Sequence, residues 1–205
     1  MLLCDIGNTT YHFLDGDRDY KEDAKSFNPS SVKERVFYIC VNPYVKEILK
    51  PLENWVDLSL YIDISKYYKT MGIDRIMACE AIESGVIVDA GSAITVDIVK
   101  EAKFEGGFIY PGIKAMRECY KNISSALEYS FNFEVDLDKM PKNSADAISY
   151  GYLKLLQNEV KSYGMNIYLT GGDARELVKI FPSSQVDEIL IFRGMKNIIK
   201  KADIC

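Results

Sequence analysis

A strand-like apolar segment followed by Asp-x-Gly and small polar residues occurs twice in this chain. The first copy joins residues 1–4 to Asp5-Ile6-Gly7-Asn8-Thr9-Thr10, and the second joins residues 85–88 to Asp89-Ala90-Gly91-Ser92. A further strand-like segment follows each turn. When the copies are aligned on their aspartates, Gly7 matches Gly91 and Asn8 matches Ser92. Two units of this kind predict two related lobes that face each other across a cleft, with the phosphates of a nucleotide between their turns.

The two turns have the residue types of a phosphate site. A glycine lets backbone N–H groups approach an anion closely, and a carboxylate can hold the metal that accompanies a phosphate. Mg²⁺ is often bound by one or two carboxylates together with substrate phosphates. Asp5 and Asp89 are therefore candidates for this chemistry. In a single copy, an aspartate that only caps its turn would be the simpler explanation, but the repeat favours the functional interpretation.

Charge and composition exclude several classes of function. The formal net charge is −5 at pH 7, and no basic block is interleaved with aromatic residues, so nucleic acid is not expected as a partner. No apolar run approaches the roughly 18 residues that span a bilayer, and the first residues enter a motif rather than a signal peptide. We therefore expect a cytoplasmic protein with no membrane partner. His12 is the single histidine, which argues against a multi-histidine metal centre and a Ser-His-Asp triad.

The order of the expected elements repeats between the two halves. Residues 1–84 indicate three antiparallel strands, a helix, a strand, a helix and a strand, which resembles a ribonuclease-H-like lobe. Residues 85–205 repeat this order. The sequence thus predicts an α/β protein of two duplicated lobes, each a mixed β-sheet flanked by helices. Individual expectations include a third strand near 20–27, a helix beginning at 28–31, a strand at 56–62, a strand at 188–192 and a helix from 194 to about 202.

Gly72-Ile73-Asp74-Arg75 is the candidate chemical centre. Asp74 could accept a proton from a substrate hydroxyl while Arg75 holds an anionic group of the same substrate. Asp74 could equally be a helix cap and Arg75 a surface residue. Tyr67 and Tyr68, just upstream, could line the same pocket or simply pack.

Two further motifs place small residues where a strand meets a helix. Thr170-Gly171-Gly172-Asp173 would let a nucleotide lie against the backbone at the start of a helix. Gly106-Gly107 with Pro111-Gly112 would let another helix begin close to a ligand. Each could also be an ordinary turn. A role in nucleotide binding is favoured for them only because the chain also contains the two phosphate turns.

In chain order, these motifs resemble those of the type III pantothenate kinases. Asp5-Ile6-Gly7-Asn8-Thr9 is similar to the first phosphate motif of that family, and Gly72-Ile73-Asp74-Arg75 is similar to its substrate motif. Asp89-Ala90-Gly91-Ser92-Ala93, followed by Thr95-Val96-Asp97, is similar to its second phosphate motif. The Gly-Gly/Pro-Gly turn and the Thr-Gly-Gly-Asp turn on the adenosine side complete five collinear motifs.

The resemblance implies an activity, a fold and an assembly. The activity is ATP-dependent phosphorylation of pantothenate to 4'-phosphopantothenate, the first step of coenzyme A biosynthesis. The fold is that of the acetate and sugar kinase/Hsp70/actin superfamily, also called the actin-like ATPase fold. The assembly is a homodimer. The cofactors are Mg²⁺ with ATP and a monovalent cation, K⁺ or NH₄⁺.

The resemblance also implies residue roles. Asp74 would be the catalytic base, Asp5 would organise Mg²⁺-ATP, and Asp89 would hold the monovalent cation. The implied ATP contacts are Asp5, Gly7, Asn8, Thr9, Thr10 and Ser92. The implied pantothenate contacts are Tyr68, Gly72, Ile73, Arg75 and Ser144. Ser92 and Ser144 stand where the family has threonine and keep the hydroxyl, whereas Tyr67 remains an alternative to Tyr68 because the upstream segment is short.

Three other functions compete with this one. A kinase of the same fold could act on a sugar, acetate or another acyl substrate. An actin-like or Hsp70-like nucleotide-dependent binding protein would hydrolyse ATP slowly without a small-molecule acceptor. A ribonuclease-H-like nuclease is disfavoured by the acidic charge and the duplicated phosphate turns.

Overall fold

The computed structural model of the chain describes residues 1–204. Cys205, the last residue of the expected second lobe, lies outside the described residues. The chain forms two compact units. Residues 83–188 make one unit, and residues 1–82 together with the segment that begins at Ile189 make the other.

The first unit is built on a mixed five-stranded sheet with the order β3-β2-β1-β4-β5. β1 pairs with β2 in antiparallel and with β4 in parallel, β2 pairs with β3 in antiparallel, and β4 pairs with β5 in parallel. The strands are β1 Leu2–Ile6, β2 Thr10–Asp15, β3 Arg18–Asp23, β4 Val36–Cys40 and β5 Trp55–Asp57. Its helices are α1 Pro43–Leu49, α2 Ile73–Glu80 and, at the end of the chain, α6 Leu190–Ala202.

The second unit repeats this topology with its own five strands, in the order β8-β7-β6-β9-β10. The first three strands again pair in antiparallel, and the first, fourth and fifth pair in parallel. The strands are β6 Gly85–Ala90, β7 Ala93–Lys100, β8 Lys103–Pro111, β9 Ile167–Thr170 and β10 Gln185–Val186. The helices are α3 Ile113–Ile123, α4 Ser144–Ser162 and α5 Ala174–Leu177. Each sheet therefore has the strand order and directions expected of a ribonuclease-H-like lobe.

The last helix, α6, packs in the first unit. Phe192, Met195 and Ile198 join a buried cluster with Leu3 of β1 and Met77 of α2. A Cβ atom at Gly194 would collide with the carbonyl oxygen of Met77, so the backbones of α6 and α2 are in direct contact where the helices cross. By contacts α6 therefore belongs with residues 1–82, although the sequence assigned it to the lobe of residues 85–205. The division into duplicated lobes at residues 84 and 85 stays a prediction.

Several local expectations were wrong. The helix expected from residues 28–31 is a single 3₁₀ turn, Pro29–Ser31, capped by Asn28. The strand expected at 56–62 stops at Asp57, because the Asp57 side chain accepts a hydrogen bond from the backbone N–H of Ser59 and starts a 3₁₀ turn. The third strand lies at Arg18–Asp23 rather than near 20–27.

The strand expected at 188–192 is also absent, since this stretch contains the start of α6. Its apolar residues fit a buried helix as well as a strand, and periodicity alone does not separate the two. The fifth strand is the short Gln185–Val186 instead. Among residues 1–204, no helix has the length and apolar character needed to cross a membrane.

Candidate active site

The first phosphate turn is a tight connection between β1 and β2. The backbone N–H of Gly7 donates to the carbonyl oxygen of Thr10 at 2.9 Å, which closes the turn. Asp5 lies half-buried in β1, one residue before the strand ends, whereas Asn8 and Thr9 are exposed. The carbonyl oxygen of Thr9 accepts a 2.9 Å hydrogen bond from the backbone N–H of Ala24, which ties the turn to the chain after β3.

The second phosphate turn connects β6 and β7 in a similar way. The backbone N–H of Gly91 donates to the carbonyl oxygen of Ala93 at 3.0 Å. Asp89 is half-buried one residue before the end of β6, and Ser92 is exposed. In both copies a glycine N–H closes the turn, but the acceptor carbonyl lies three residues on in the first copy and two residues on in the second. The aspartate and the small polar residue match in burial as well as in sequence.

Both turn glycines have free space where a side chain would begin. A Cβ at Gly7 would make only ordinary contacts with Thr10, at 3.7 and 3.9 Å, and one at Gly91 would approach the Ala93 carbonyl oxygen at 3.8 Å. Neither glycine has a positive φ. The backbone conformation of these turns therefore does not require glycine, and the space above them remains available to a ligand.

Gly112 and Gly171 differ from these because they pack tightly on the second turn. A Cβ at Gly112 would collide with the carbonyl oxygens of Gly91 and Ser92, and the Gly112 N–H donates to the Ser92 carbonyl oxygen at 3.1 Å. A Cβ at Gly171 would collide with Oδ1 of Asp89, and the φ of Gly171 is +87°. The expected Pro-Gly and Thr-Gly-Gly-Asp turns thus converge on the Asp89 turn within the second unit.

Two further contacts fix this convergence. The buried Tyr152 of α4 donates its hydroxyl hydrogen to the Pro111 carbonyl oxygen, just before Gly112. The backbone N–H of Asp173 donates to the Ala90 carbonyl oxygen at 2.9 Å. Burial, and then the nearby charge of Glu176, raises the pKa of the Asp173 carboxyl above its usual value.

Asp89 lies between two threonines in the sheet. Thr95 of β7 and Thr170 of β9 are its register partners, and partners in register present their side chains on the same face. The Oγ1 atom of Thr95 is buried and has no hydrogen-bond partner among the described residues. A buried polar atom without a partner is costly, so it calls for an explanation such as an ion or water. The sequence placed Thr95 in the second motif but gave it no role.

The candidate chemical centre lies in the first turn of α2. Gly72 is the N-cap residue, and Asp74 is half-exposed, with Oδ1 accepting a hydrogen bond from the backbone N–H of Arg75 at 2.8 Å. Arg75 is buried, at 6% exposure, and is not the surface residue that the alternative interpretation required. Its Nη1 donates to the hydroxyl of Tyr68, and its Cζ lies 5.7 Å from the centre of the Tyr68 ring.

The two candidate tyrosines contact different ends of α2. Tyr68 is 44% exposed and meets Arg75 in the first turn of the helix. Tyr67 is half-buried, and its hydroxyl donates to Oε1 of Glu80, the last residue of the helix, at 3.0 Å. These contacts favour Tyr68 as the tyrosine beside the candidate substrate site. The sequence gave no signal for Glu80.

Ser144, the remaining predicted pantothenate contact, is the exposed first residue of α4. Asn143 caps this helix, and its Oδ1 accepts a hydrogen bond from the backbone N–H of Asp146 at 2.9 Å. The exposed hydroxyl of Ser144 is thus held at a capped helix start. Within the part of the chain that the structure describes, no three His, Cys, Asp or Glu side chains form a metal-binding group.

Comparisons with known proteins identify the family. A family model described as type III pantothenate kinase matches residues 29–164. A relative from Sulfurimonas denitrificans with the same name is 75% identical over 205 residues, covering 100% of both proteins. The chain belongs to the type III pantothenate kinase family. Family membership confirms the predicted kinase function in the first step of coenzyme A biosynthesis.

Solved structures support the fold of this pantothenate kinase family member. A crystal structure from Campylobacter jejuni, whose description names a Baf family transcriptional activator, has a TM-score of 0.89 at 42% identity and covers 100% of both chains. The apo ParM protein of psk41 has a TM-score of 0.50 at 9% identity, covering 99% of this chain and 96% of that chain, which shows the fold alone. The predicted actin-like ATPase fold is confirmed.

Proposed function

We propose that Asp74 is the catalytic base in the transfer of the ATP γ-phosphoryl group to the primary hydroxyl of pantothenate. The observation that carries this proposal is the pairing of a half-exposed carboxylate, Asp74, with a buried arginine, Arg75, that also holds Tyr68. The carboxylate accepts the hydroxyl proton as the hydroxyl oxygen attacks the γ-phosphorus in line, and the bond to ADP breaks. Arg75 and Tyr68 orient the acceptor.

On the acceptor side, three further residues contribute to the proposed pantothenate site. Gly72 and Ile73 present the backbone at the start of α2, next to the base. Ser144 supplies an exposed hydroxyl at the start of α4. These residues position the pantothenate hydroxyl for attack, and positioning provides much of the rate gain in phosphoryl transfer.

On the nucleotide side, the two turns bind ATP in this proposal. The support is the space above Gly7 and Gly91, where backbone N–H groups can approach an anion without displacing a side chain. Asn8, Thr9 and Thr10 supply amide and hydroxyl groups to the phosphates on one turn, and Ser92 supplies a hydroxyl on the other. Mg²⁺ bound with ATP would neutralise phosphate charge, and the Asp5 carboxylate is the residue that would organise it.

The monovalent cation is assigned to Asp89 in this proposal, and the oxygen atoms around Asp89 fit such an ion. Thr95 and Thr170 stand in register with Asp89 on either side, and the buried Oγ1 of Thr95 has no protein partner among the described residues. Carboxylate, hydroxyl and carbonyl oxygens can replace the hydration shell of K⁺ or NH₄⁺. A bound cation would add positive charge near the phosphates and would satisfy the hydroxyl of Thr95.

Thr95→Val tests the cation assignment because valine keeps the shape of threonine and removes the hydroxyl. We expect the variant to melt about 2–4 °C higher than wild type in Na⁺ buffer, since a buried unsatisfied group worth roughly 1 kcal/mol is gone. We also expect the K⁺-dependent rise of the melting temperature to disappear. Thermal unfolding in Na⁺ and in K⁺ measures both effects without requiring activity.

Thr70→Val is the matched control, since Thr70 is exposed and its hydroxyl can bind water. The control should melt like wild type in both buffers. A Thr95→Val variant that keeps the full K⁺-dependent stabilisation would remove Thr95 from the cation site.

The homodimer is supported by apolar surface on the second unit. No residue of α3 is buried, and Ile109, Ile123 and Leu155 are 61%, 67% and 62% exposed. Contact of these side chains with a second copy of the chain would remove apolar area from water, which would favour association. Light scattering of the purified chain should therefore give twice the mass of one chain, and a monomer at assay concentration would contradict the proposal.

ATP-dependent ADP release, measured with and without pantothenate in K⁺ and in Na⁺ buffer, tests the whole assignment. Release that requires both pantothenate and K⁺ would support the acceptor and the cation together. ADP release without pantothenate would favour a nucleotide-dependent binding protein. Turnover of a sugar or of acetate, but not of pantothenate, would favour another kinase of this fold.

A further inference from the structure

Glu80 is an almost buried carboxylate at the end of α2. Its side chain is 10% exposed. Oε2 forms an ion pair with Nζ of Lys201 in α6, and Oε1 accepts a hydrogen bond from the Tyr67 hydroxyl at 3.0 Å. Its backbone carbonyl oxygen accepts from Nδ2 of Asn197 at 2.9 Å. Such burial is costly for an ionised carboxylate unless charged and hydrogen-bonding partners surround it, so these contacts define one geometry.

Two consecutive tyrosines are thereby held at two separate points on α2. Tyr68 is bound by Arg75 in the first turn, and Tyr67 is bound by Glu80, five residues further along the helix. At a rise of about 1.5 Å per residue these points lie roughly 7.5 Å apart along the helix axis. A segment attached at both points cannot slide along the helix or rotate away from it while the two bonds persist.

We propose that Glu80 is a positioning residue of the pantothenate site that acts through Tyr67. By holding the Tyr67 hydroxyl, Glu80 fixes the segment of residues 62–71, so that the ring and hydroxyl of Tyr68 meet Arg75. This inference rests on the proposed roles of Tyr68 and Arg75 in binding pantothenate. The ion pair with Lys201 attaches the Glu80 carboxylate to α6, the last helix of the chain, and so holds Glu80 itself in place.

The surroundings of the segment explain why it needs this support. Apolar packing holds the two ends of the segment, through Ile62 and the buried Met71. It contributes little in the middle, where Ile64 is 66% exposed and Ser65, Lys66, Lys69 and Thr70 are also exposed. Local hydrogen bonds shape the segment: the backbone N–H of Met71 donates to the Tyr68 carbonyl oxygen at 3.0 Å. Such bonds define the turn of the segment but do not attach it to α2. The side chains of Tyr67 and Tyr68 make that attachment, through Glu80 and Arg75.

Tyr67→Phe tests the inference because it removes one oxygen atom and keeps the ring. Removing a hydrogen bond to a charged group should loosen the segment, and we expect the KM for pantothenate to rise about five- to tenfold. The KM for ATP and kcat should stay within about twofold of wild type, since the phosphate turns and Asp74 are untouched. Glu80→Gln should raise the KM for pantothenate by a smaller factor, because the amide oxygen can still accept the Tyr67 hydroxyl hydrogen but without the negative charge.

The double variant, Tyr67→Phe with Glu80→Gln, separates positioning from general support of the fold. If Glu80 acts through Tyr67, the double variant should have the same KM for pantothenate as the single Tyr67→Phe variant. Tyr163→Phe is the matched control. The Tyr163 hydroxyl makes the same kind of bond, to Oε1 of Glu159 at 3.1 Å, but on the exposed surface of the second unit. It should change neither KM.

Limited trypsin digestion supplies a readout that does not depend on activity. Lys66 and Lys69 are exposed in the segment, so Tyr67→Phe should accelerate cleavage there severalfold relative to wild type. Faster cleavage with an unchanged KM for pantothenate would overturn the positioning role. Additive KM effects in the double variant, or an equal rise in the KM for ATP, would also overturn it. If wild type showed no pantothenate-dependent turnover, the proposed substrate site would fail, while digestion would still report on the Tyr67–Glu80 anchor.

Discussion

The Asp74→Asn variant is expected to lose about 10²–10⁴-fold in kcat while its KM for ATP stays close to that of wild type. Asparagine has nearly the same shape as aspartate but cannot accept the proton of the pantothenate hydroxyl. The amide oxygen can still accept the backbone N–H of Arg75, which Oδ1 of Asp74 accepts at 2.8 Å, so α2 should remain intact. ADP release at saturating pantothenate and varied ATP measures both constants.

The size of this effect distinguishes a base from a binding group. A carboxylate that only contacted pantothenate would raise KM and leave kcat unchanged, because the interaction would be the same in the ground state and the transition state. Asp17→Asn is a suitable control, since Asp17 is exposed in the turn between β2 and β3. Its kinetic constants should match wild type. Equal kcat for Asp74→Asn and wild type would remove Asp74 from the role of base.

The sequence predicted the topology well because the fold is a repeat. The two Asp-x-Gly turns marked the ends of equivalent strands, and both sheets have the expected strand order and directions. Errors concentrated where a local side chain or a distant contact decides the structure. Asp57 turns the chain into a 3₁₀ helix after three strand residues, and the apolar stretch before Gly194 forms a helix packed on α2.

The sequence also identified the main candidate residues, but not the contacts that hold them. The Gly-Ile-Asp-Arg motif singled out Asp74 and Arg75. The structure was needed to show that Tyr68 contacts Arg75 and that Tyr67 contacts Glu80. Glu80 and Lys201 are 121 positions apart, and no periodicity connects residues at that separation. The unpartnered hydroxyl of Thr95 likewise follows from strand register and burial, which a single sequence does not reveal.

The glycines of the second unit allow a prediction about stability. Gly171→Ala should destabilise the protein by about 3 kcal/mol or more, because alanine would be strained at a φ of +87° and its Cβ would collide with Asp89 and Ala90. At about 2–4 °C per kcal/mol, the melting temperature should fall by roughly 6–12 °C. Displacement of the Asp89 carboxylate should also abolish the K⁺-dependent stabilisation. Thermal unfolding in Na⁺ and in K⁺ measures both losses.

Gly7→Ala should behave in the opposite way, which makes it the sharper test of the ATP site. Its φ is not positive and its Cβ would meet only ordinary contacts, so the melting temperature should be unchanged or slightly higher. The new methyl group would occupy the space where a phosphate approaches the turn, so the KM for ATP should rise at least about tenfold. Gly151→Ala in α4 is the control, because Gly151 has open space but lies in a helix away from either turn sequence. If Gly7→Ala bound ATP like wild type, the space above the first turn would not be a phosphate site, and the assignment of Asp5, Asn8 and Thr9 to ATP would lose its structural support.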